Sequence, residues 1–332
     1  MPTLDGQLPT AVAEAARHLA AGELVAFATE TVYGLGARAD DDAAVARIFS
    51  AKGRPADHPL IVHVASLDDA AHFGDLSHPV AQRLAARFWP GPLTLIVPRR
   101  AGVGAAAAGG QDSIGLRMPS HPVALALLRA ASALGARGVA GPSANRFGRV
   151  SPTTAAHVID EFGPGLVVLD GGPSTVGIES AIVDCTRSAP ALLRPGMLDR
   201  RELEAALGQA LRGAGPDAPR ASGTLEAHYA PDAKVRLMDT QALSAALQVL
   251  GEGPALPRAP QGLAVYSRSV RQVPQGILLR VMPDRPGDAA QELFAALRDF
   301  DARGARLIWV ETPPAGPAWD GVRDRLARAA AA

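Results

Sequence analysis

Cysteine is almost absent from this chain of 332 residues, in which Cys185 is the single example. One cysteine can form neither an internal disulfide nor a Cys-x-x-Cys metal site, and such usage is typical of a reducing compartment. The N-terminal segment carries Asp5, Glu14 and Arg17 in an alanine-rich helical pattern, which excludes a signal peptide or a transmembrane span. We therefore expect a soluble, cytoplasmic protein without a membrane partner.

An excess of charge of either sign is also missing. The chain has 33 basic and 33 acidic residues, a pI near 7.1 and only 4% aromatic residues. This balance excludes a protein that attaches to nucleic acid or membranes by bulk electrostatics, although it leaves room for a weak local contact with RNA.

The familiar glycine-rich nucleotide loops are absent as well. No GxxxxGK[ST] sequence occurs, and Gly34-Leu35-Gly36 lacks the third glycine and the acidic partner of a dinucleotide fingerprint. The chain therefore contains neither a Walker loop nor a dinucleotide-binding turn.

Lysine is scarce, since only Lys52 and Lys234 occur among the 33 basic residues and all the others are arginine. Lys52 lies in the last turn of a predicted helix, where any cation would also favour the helix dipole. In an arginine-rich chain, however, a lysine beside Arg54 favours a compact ammonium that contacts phosphate oxygens.

The stretch from Glu23 to Ser66 combines features of a ligand site. A short apolar run ends at the polar triplet Thr29-Glu30-Thr31, and a second run carries His63 near its middle. Between the two runs, a helix capped by aspartates ends at Gly53, next to the two cations. These features together predict a site that could hold an anion.

Helical and strand patterns alternate along the chain, which predicts an α/β protein with a mixed sheet and an open ligand cleft at strand ends. The length favours two domains, and we place them at residues 1–212 and 233–332, with a linker over residues 213–232. The second domain reads as a smaller α/β unit.

The linker begins with small residues from Gly213 to Thr224 and ends in His228-Tyr229-Ala230-Pro231. A tether needs no aromatic ring, so we expect a lid that closes over a bound nucleotide. The alternative is that Tyr229 packs at the domain boundary.

Single residues leave the chemistry open. His63 could be a packed core histidine, and Ser143 and Ser180 could be turn residues. Neither serine lies in a Gx[ST]xG elbow, which argues against acyl transfer through a serine nucleophile. Glu30 and Glu179 could be metal ligands or satisfied polar groups.

Seven motifs in order, however, resemble the two-domain form of the threonylcarbamoyl-AMP synthase family. They are ATETVYGLG, KGRPADHPLIVHV, SIGLRMP, PSANRFGRVSPT, GIESAIVD, LLRPG and HYAP. The resemblance implies a twisted, mixed-sheet YrdC-like catalytic domain followed by a smaller Rossmann-like α/β domain. Ala28, His58 and Ala181 depart from the residues common in the family, which are proline, asparagine and threonine.

The resemblance also implies a reaction. L-threonine and bicarbonate would give a carbamate that attacks the α-phosphate of ATP, releasing pyrophosphate and forming threonylcarbamoyl-AMP. Mg²⁺ would arrive on ATP, and neither a resident metal nor a tightly bound cofactor is expected. The product would pass to a tRNA threonylcarbamoyl-transferase complex.

The family's site residues carry over to matching positions. Lys52 and Arg54 would be catalytic, since they would offset the charge of the leaving pyrophosphate. The threonine site would consist of Thr31, His63, Arg117, Gly141 and Ser180. The ATP site would consist of Lys52, Arg54, His58, Ser113, Ser143, Asn145, Ser151, Arg194 and Tyr229.

Two alternatives remain for comparison. A related carbamoyltransferase of hydrogenase maturation would need zinc-finger cysteines that a chain with Cys185 alone does not have. A non-catalytic RNA-binding module on the same fold is the second, and zero net charge and few aromatic residues count against it.

Overall fold

The computed structural model describes residues 3–215, 217–252 and 262–332. Met1, Pro2, Pro216 and residues 253–261, which the expected domains and linker include, lie outside the described residues. The described chain forms two compact units. The first comprises Met1–Phe147 and Ser151–Thr224, and the second Gly148–Val150 and Leu225–Ala332. None of the helices in the described part of the chain has the length and apolar character needed to cross a membrane.

The first unit combines strands and helices in alternation, as expected from the sequence. Its strands are β1 (Thr3–Asp5), β2 (Val25–Phe27), β3 (Gly34–Arg38), β4 (Ile61–His63), β5 (Leu93–Pro98), β6 (Ser113–Arg117), β7 (Val139–Ala140), β8 (Val167–Asp170), β9 (Ala181–Asp184), β10 (Ala191–Arg194) and β11 (Arg212–Gly213). Its helices are α1 (Pro9–Ala20), α2 (Asp42–Lys52), α3 (Leu67–Phe73), α4 (Pro79–Phe88), α5 (Pro122–Ala133), α6 (Ala155–Phe162) and α7 (Arg200–Leu207).

Within the described residues these strands form one mixed sheet of 11 strands, in the order β1-β8-β2-β3-β7-β4-β6-β5-β9-β10-β11. Parallel pairs such as β4 with β6 and β5 with β9 alternate with antiparallel pairs such as β5 with β6. Two large apolar clusters of buried side chains pack around this sheet. The mixed α/β fold predicted from the sequence is therefore confirmed.

Helix α2 delivers Lys52 to the site. Asp41 caps its start by accepting hydrogen bonds from the backbone N–H groups of Ala43 and Ala44. Its apolar face is buried, and Gly53 ends it in the left-handed conformation, with a φ of 64° that a glycine adopts without strain. The chain therefore leaves the helix sharply at this point, and Lys52 is the last helical residue.

Strand β3, which contains Gly34 and Gly36, was not predicted from the sequence. Gly36 lies between neighbouring side chains, and a Cβ there would come within 2.8 Å of Val139 and 2.9 Å of Phe27. Glycine is needed for this close packing of a central strand. Because glycine has low strand propensity, the pattern concealed the strand.

The second unit is a smaller α/β fold, also as expected. Its strands β12 (Lys234–Met238), β13 (Leu263–Ser267), β14 (Leu278–Val281) and β15 (Leu307–Glu311) form a parallel sheet in the order β12-β15-β13-β14. Helices α8 (Thr240–Glu252), α9 (Pro286–Ala302) and α10 (Asp320–Ala330) and a short 3₁₀ helix (Pro317–Trp319) complete it.

The expected linker is divided between the two units. Its first part, up to Thr224, clusters with the first unit, whereas the part from Leu225 onward belongs to the second. The residues Gly148–Val150 also belong to the second unit. The composition shift thus marks a change of local structure, and the boundary between units lies after Thr224.

Candidate active site

Polar side chains gather on one face of the central sheet. His63 ends β4, and it lies directly opposite Arg117, which ends the parallel strand β6. Arg194 ends β10, and Ser180 precedes β9. Because alternate residues of a strand share a face, the register places Ser113 on the same face as Arg117. Polar residues therefore lie together at strand ends, where the sequence predicts a ligand cleft.

Arg117 is the charged centre of this face. Its side chain is buried, and Nη1 donates a hydrogen bond of 2.8 Å to the hydroxyl of Thr31. Nε donates to the carbonyl of Gly91 at 3.3 Å, and Nη2 lies 2.6 Å from a carboxylate oxygen of Glu30. A buried guanidinium held in this way is pre-oriented to bind a carboxylate.

His63 presents a neutral ring to the same pocket. It is buried edge-on against Phe27, and its Nδ1 has no hydrogen-bond partner among the described residues. Burial, reinforced by the positive charge of Arg117, lowers its pKa to about 3. A Cβ on Gly141 would come within 2.9 Å of this nitrogen, so only glycine leaves the ring in place.

Ser180 connects two strands of the site. Its hydroxyl shares a hydrogen bond of 2.8 Å with Thr94 of β5, and both residues are completely buried. Arg194 donates to the Ser180 hydroxyl at 3.3 Å and to its carbonyl at 3.1 Å. Thr94 is not among the residues predicted from the sequence, although a threonine inside the apolar strand Leu93–Pro98 is a signal that could have identified it.

Lys52 contacts the loop that follows β7. Its buried ammonium donates a 2.6 Å hydrogen bond to the carbonyl of Ser143 and a second, short one to the carbonyl of Asn145. Burial and the nearby charge of Arg54 lower the pKa of Lys52 well below its usual value. A negatively charged ligand beside this group would restore the pKa and favour the charged ammonium.

Arg54 and His58 lie around the ring of Phe147. The Arg54 guanidinium stands 5.8 Å from the ring centre, and the His58 ring contacts Phe147 edge-on at 5.5 Å. Arg54 also donates to the carbonyl of Pro59 at 3.0 Å. Burial and Arg54 lower the pKa of His58, which favours a neutral imidazole. These residues together present a guanidinium cation and aromatic rings, a combination that suits a nucleotide ligand.

Ser151 and Ser113, two further residues of the predicted ATP site, have different surroundings. Ser151 is buried and donates a short hydrogen bond to the Glu179 carboxylate. Ser113 begins β6 and lines a small cavity on the sheet face. Glu179, which the sequence left open as a metal ligand or a satisfied polar group, thus accepts a protein hydrogen bond.

The first part of the linker lies over this cavity. Arg220, Ala221 and Ser222 line it opposite the strands. The carbonyl of Ser222 accepts a 2.7 Å hydrogen bond from Arg194, and Arg220 forms an exposed ion pair of 2.7 Å with Asp57. The segment is therefore attached to the site through groups that a bound ligand could also engage.

Tyr229 is placed differently from the other predicted ATP residues. It is buried in the second unit, stacked on Phe294 at 5.5 Å with the guanidinium of Arg325 at 5.3 Å from its ring centre. Its φ of 61° is unusual for a residue other than glycine. These contacts all lie within the second unit, and a nucleotide contact by Tyr229 stays a prediction.

No resident metal centre is evident in the described ranges. Residues 3–215, 217–252 and 262–332 contain no group of three or more His, Cys, Asp and Glu side chains that could hold a metal ion. Glu30, the other candidate ligand from the sequence, instead pairs with Arg117.

Comparison with known proteins identifies relatives of both units. A family model described as "Telomere recombination" matches residues 17–196, and one described as "Threonylcarbamoyl-AMP synthase, C-terminal domain" matches residues 198–331. The threonylcarbamoyl-AMP synthase of Pyrococcus abyssi is 39% identical over 90% of this chain and 87% of its own length. That of Bacillus subtilis is 36% identical over 96% and 92%. The crystal structure of P. abyssi Sua5 complexed with L-threonine superposes with a TM-score of 0.87 at 35% identity, covering 97% of this chain and 95% of that one.

Proposed function

The chain belongs to the threonylcarbamoyl-AMP synthase family, and from this premise we propose how its own residues carry out the reaction. The enzyme combines L-threonine, bicarbonate and ATP into threonylcarbamoyl-AMP, pyrophosphate and water, the first step of the threonylcarbamoyl modification of tRNA. Family membership favours this enzyme over the RNA-binding module considered above.

The observation that carries the assignment of residues is the buried guanidinium of Arg117. Arg117 pairs with His63 on the neighbouring strand, and its Nη1 lies 2.8 Å from the Thr31 hydroxyl. We assign Arg117 to the carboxylate of threonine, because a buried carboxylate requires a charge-assisted partner. Thr31, His63, Gly141 and Ser180 complete the pocket around it.

The nucleotide is assigned to the adjoining groups around Lys52. An ammonium has three N–H donors, and two of those on Lys52 reach the carbonyls of Ser143 and Asn145. The third is available to a phosphate oxygen, while Arg54 supplies a second positive charge. His58, Ser113, Ser151 and Arg194 are proposed to line the rest of the nucleotide, with Tyr229 as the contribution from the linker.

The chemistry then needs positioning rather than a covalent nucleophile. The carbamate oxygen attacks the α-phosphorus, and the bond from that phosphorus to the pyrophosphate oxygen breaks. Lys52 and Arg54 neutralise the charge that accumulates on the departing pyrophosphate. Mg²⁺ is proposed to enter with ATP as part of the substrate.

Transfer of the product to a tRNA threonylcarbamoyl-transferase complex is part of the same proposal. The intermediate is a reactive acyl phosphate, so a nearby acceptor would limit its loss to water. A weak contact between this chain and RNA would serve the same purpose, and the cytoplasmic location expected from composition fits a tRNA substrate.

Pyrophosphate release tests the proposed function directly. We expect release from ATP only when both L-threonine and bicarbonate are present, and mass spectrometry should detect threonylcarbamoyl-AMP. The matched control is the Arg117→Ala variant at the same protein concentration, which should release little. Release that ignores threonine, or RNA binding without any release, would refute the assignment.

A further inference from the structure

The buried carboxylate of Glu30 is a charged group that the roles proposed so far do not use. Only 5% of its surface is exposed, and its Oε1 lies 2.6 Å from Nη2 of Arg117. Arg117 and the nearby backbone N–H groups of Glu30 and Ser120 stabilise this carboxylate, but neither of its oxygens forms a hydrogen bond of good geometry within the described residues. A carboxylate has about four acceptor positions, so Glu30 can still accept hydrogen bonds from a ligand.

The ionised form of Glu30 is stabilised by Arg117, while the two nearby histidines are neutral. Burial works against its ionisation, but the attraction of Arg117 outweighs this and holds the pKa of Glu30 below its usual value. Burial lowers the pKa of His63 and of His121, the second histidine near Glu30, so both rings are neutral. Arg117 and Glu30 therefore present a cation and an anion at contact distance in this pocket.

A simple carboxylate fits this arrangement poorly. If a ligand anion joined Arg117 alone, two carboxylates would share one guanidinium in a buried site, and their repulsion would oppose binding. A ligand that brings an ammonium beside its own carboxylate removes this cost, because the second charge pairs with Glu30. An α-amino acid in its zwitterionic form carries both groups on one carbon.

Resting on the proposed function, we propose that Glu30 binds the α-ammonium group of the amino-acid substrate and so selects amino acids over hydroxy acids. Glu30 and Arg117 then form a matched pair for the two charges of the zwitterion. The amino nitrogen forms the carbamate after the ammonium has given up a proton to solvent, so the carboxylate that holds this group also sets its position for reaction.

A comparison of two ligands and one variant tests this role. L-threonine carries the ammonium, whereas 3-hydroxybutanoate has the same carboxylate and hydroxyl without it. In Glu30→Gln we expect threonine to bind about 10-fold or more weakly, because a charge-assisted hydrogen bond is lost. We expect 3-hydroxybutanoate to bind more tightly than to the wild type, because the repelling carboxylate is gone. Calorimetry and ligand-observed NMR cover the strong and weak ranges of affinity.

The opposite changes in affinity for the two ligands distinguish direct contact between Glu30 and the ammonium from a purely structural role of Glu30. If Glu30 only held Arg117 in place, both ligands would weaken together, and this result would overturn the proposal. Unchanged threonine affinity, or no detectable 3-hydroxybutanoate binding to Glu30→Gln, would also overturn it. Failure of the wild type to bind threonine would instead refute the proposed function.

Two further variants complete the design. Glu14→Gln removes a carboxylate from helix α1, outside the site, and should leave both affinities unchanged. Glu30→Asp keeps the charge on a shorter side chain, so it should still prefer threonine over 3-hydroxybutanoate. This second variant provides the test if Glu30→Gln does not fold, and a preference of Glu30→Asp for the hydroxy acid would contradict the proposal.

Discussion

Replacement of Arg117 by alanine should weaken threonine binding strongly while leaving ATP binding intact. The guanidinium is 3% exposed and contacts Thr31, Gly91 and Glu30, none of which is assigned to the nucleotide. A hydrogen bond to a charged group contributes about 1.5–3 kcal/mol. At about 1.4 kcal/mol per decade, this corresponds to a loss of threonine affinity of about 10- to 150-fold.

The same change should lower stability through Glu30. Removal of one partner of a buried ion pair leaves an uncompensated charge and costs about 3–5 kcal/mol. Without Arg117, burial would raise the pKa of Glu30 above its unfolded value, and the difference in stability between wild type and variant should narrow as pH falls through that raised pKa. Adding Glu30→Gln to Arg117→Ala should recover part of the lost stability at neutral pH.

Two measurements check this reasoning. Isothermal titration calorimetry with each substrate separately should show the loss for threonine alone, and thermal unfolding should rank wild type above the double variant and the double variant above Arg117→Ala. Unchanged threonine affinity would refute the carboxylate assignment. An equal loss for ATP would show that Arg117 supports the whole site.

Three further predictions concern Lys52, the segment of residues 213–224 together with Tyr229, and His63. Lys52→Arg should reduce pyrophosphate release, because a planar guanidinium cannot replace a compact ammonium between the two loop carbonyls and a phosphate; wild-type release would contradict this. ATP with threonine should protect residues 213–224 from limited proteolysis, and Tyr229→Ala should abolish this protection. If the substrates do not change the cleavage rate, the segment is a passive tether. His63 has a pKa of about 3 in the folded protein, against 6.5 in the unfolded chain, so the free energy of unfolding should fall as the pH is lowered from 6.5 to 3. His63→Phe should make the free energy of unfolding less dependent on pH in this range, as measured by unfolding at a series of pH values.

Local sequence patterns predicted most of the secondary structure, because caps and breakers act within a few residues. Asp41 and Gly53 bound α2 as expected, and the Ser66 hydroxyl caps α3 by accepting the N–H of Asp69. The pattern failed at β3, where Gly36 is required by Phe27 and Val139 rather than by its own chain neighbours. Packing between distant segments is not visible in a local window.

Some residues of the candidate site were likewise indicated by the sequence, whereas their contacts were not. The scarcity of lysine indicated Lys52, the apolar run from Leu60 to Val64 drew attention to His63, and the family resemblance indicated Arg117. Their partners were not predictable, because the carbonyls of Ser143 and Asn145 reach Lys52 only through the fold. The sequence left Glu30 as a metal ligand or a satisfied polar group, whereas the structure pairs it with Arg117.

The sequence by itself determined the alternation of strands and helices, the presence of two units and, through its ordered motifs, the family. Tertiary structure decided where the units divide, which face of the sheet carries the site, and which buried charges balance each other. These depend on strand register and desolvation, both set by residues far apart in the chain. Arg117 and Glu30 become a pair only when β6 and the turn after β2 are brought together in an interior where neither charge can be left unpaired.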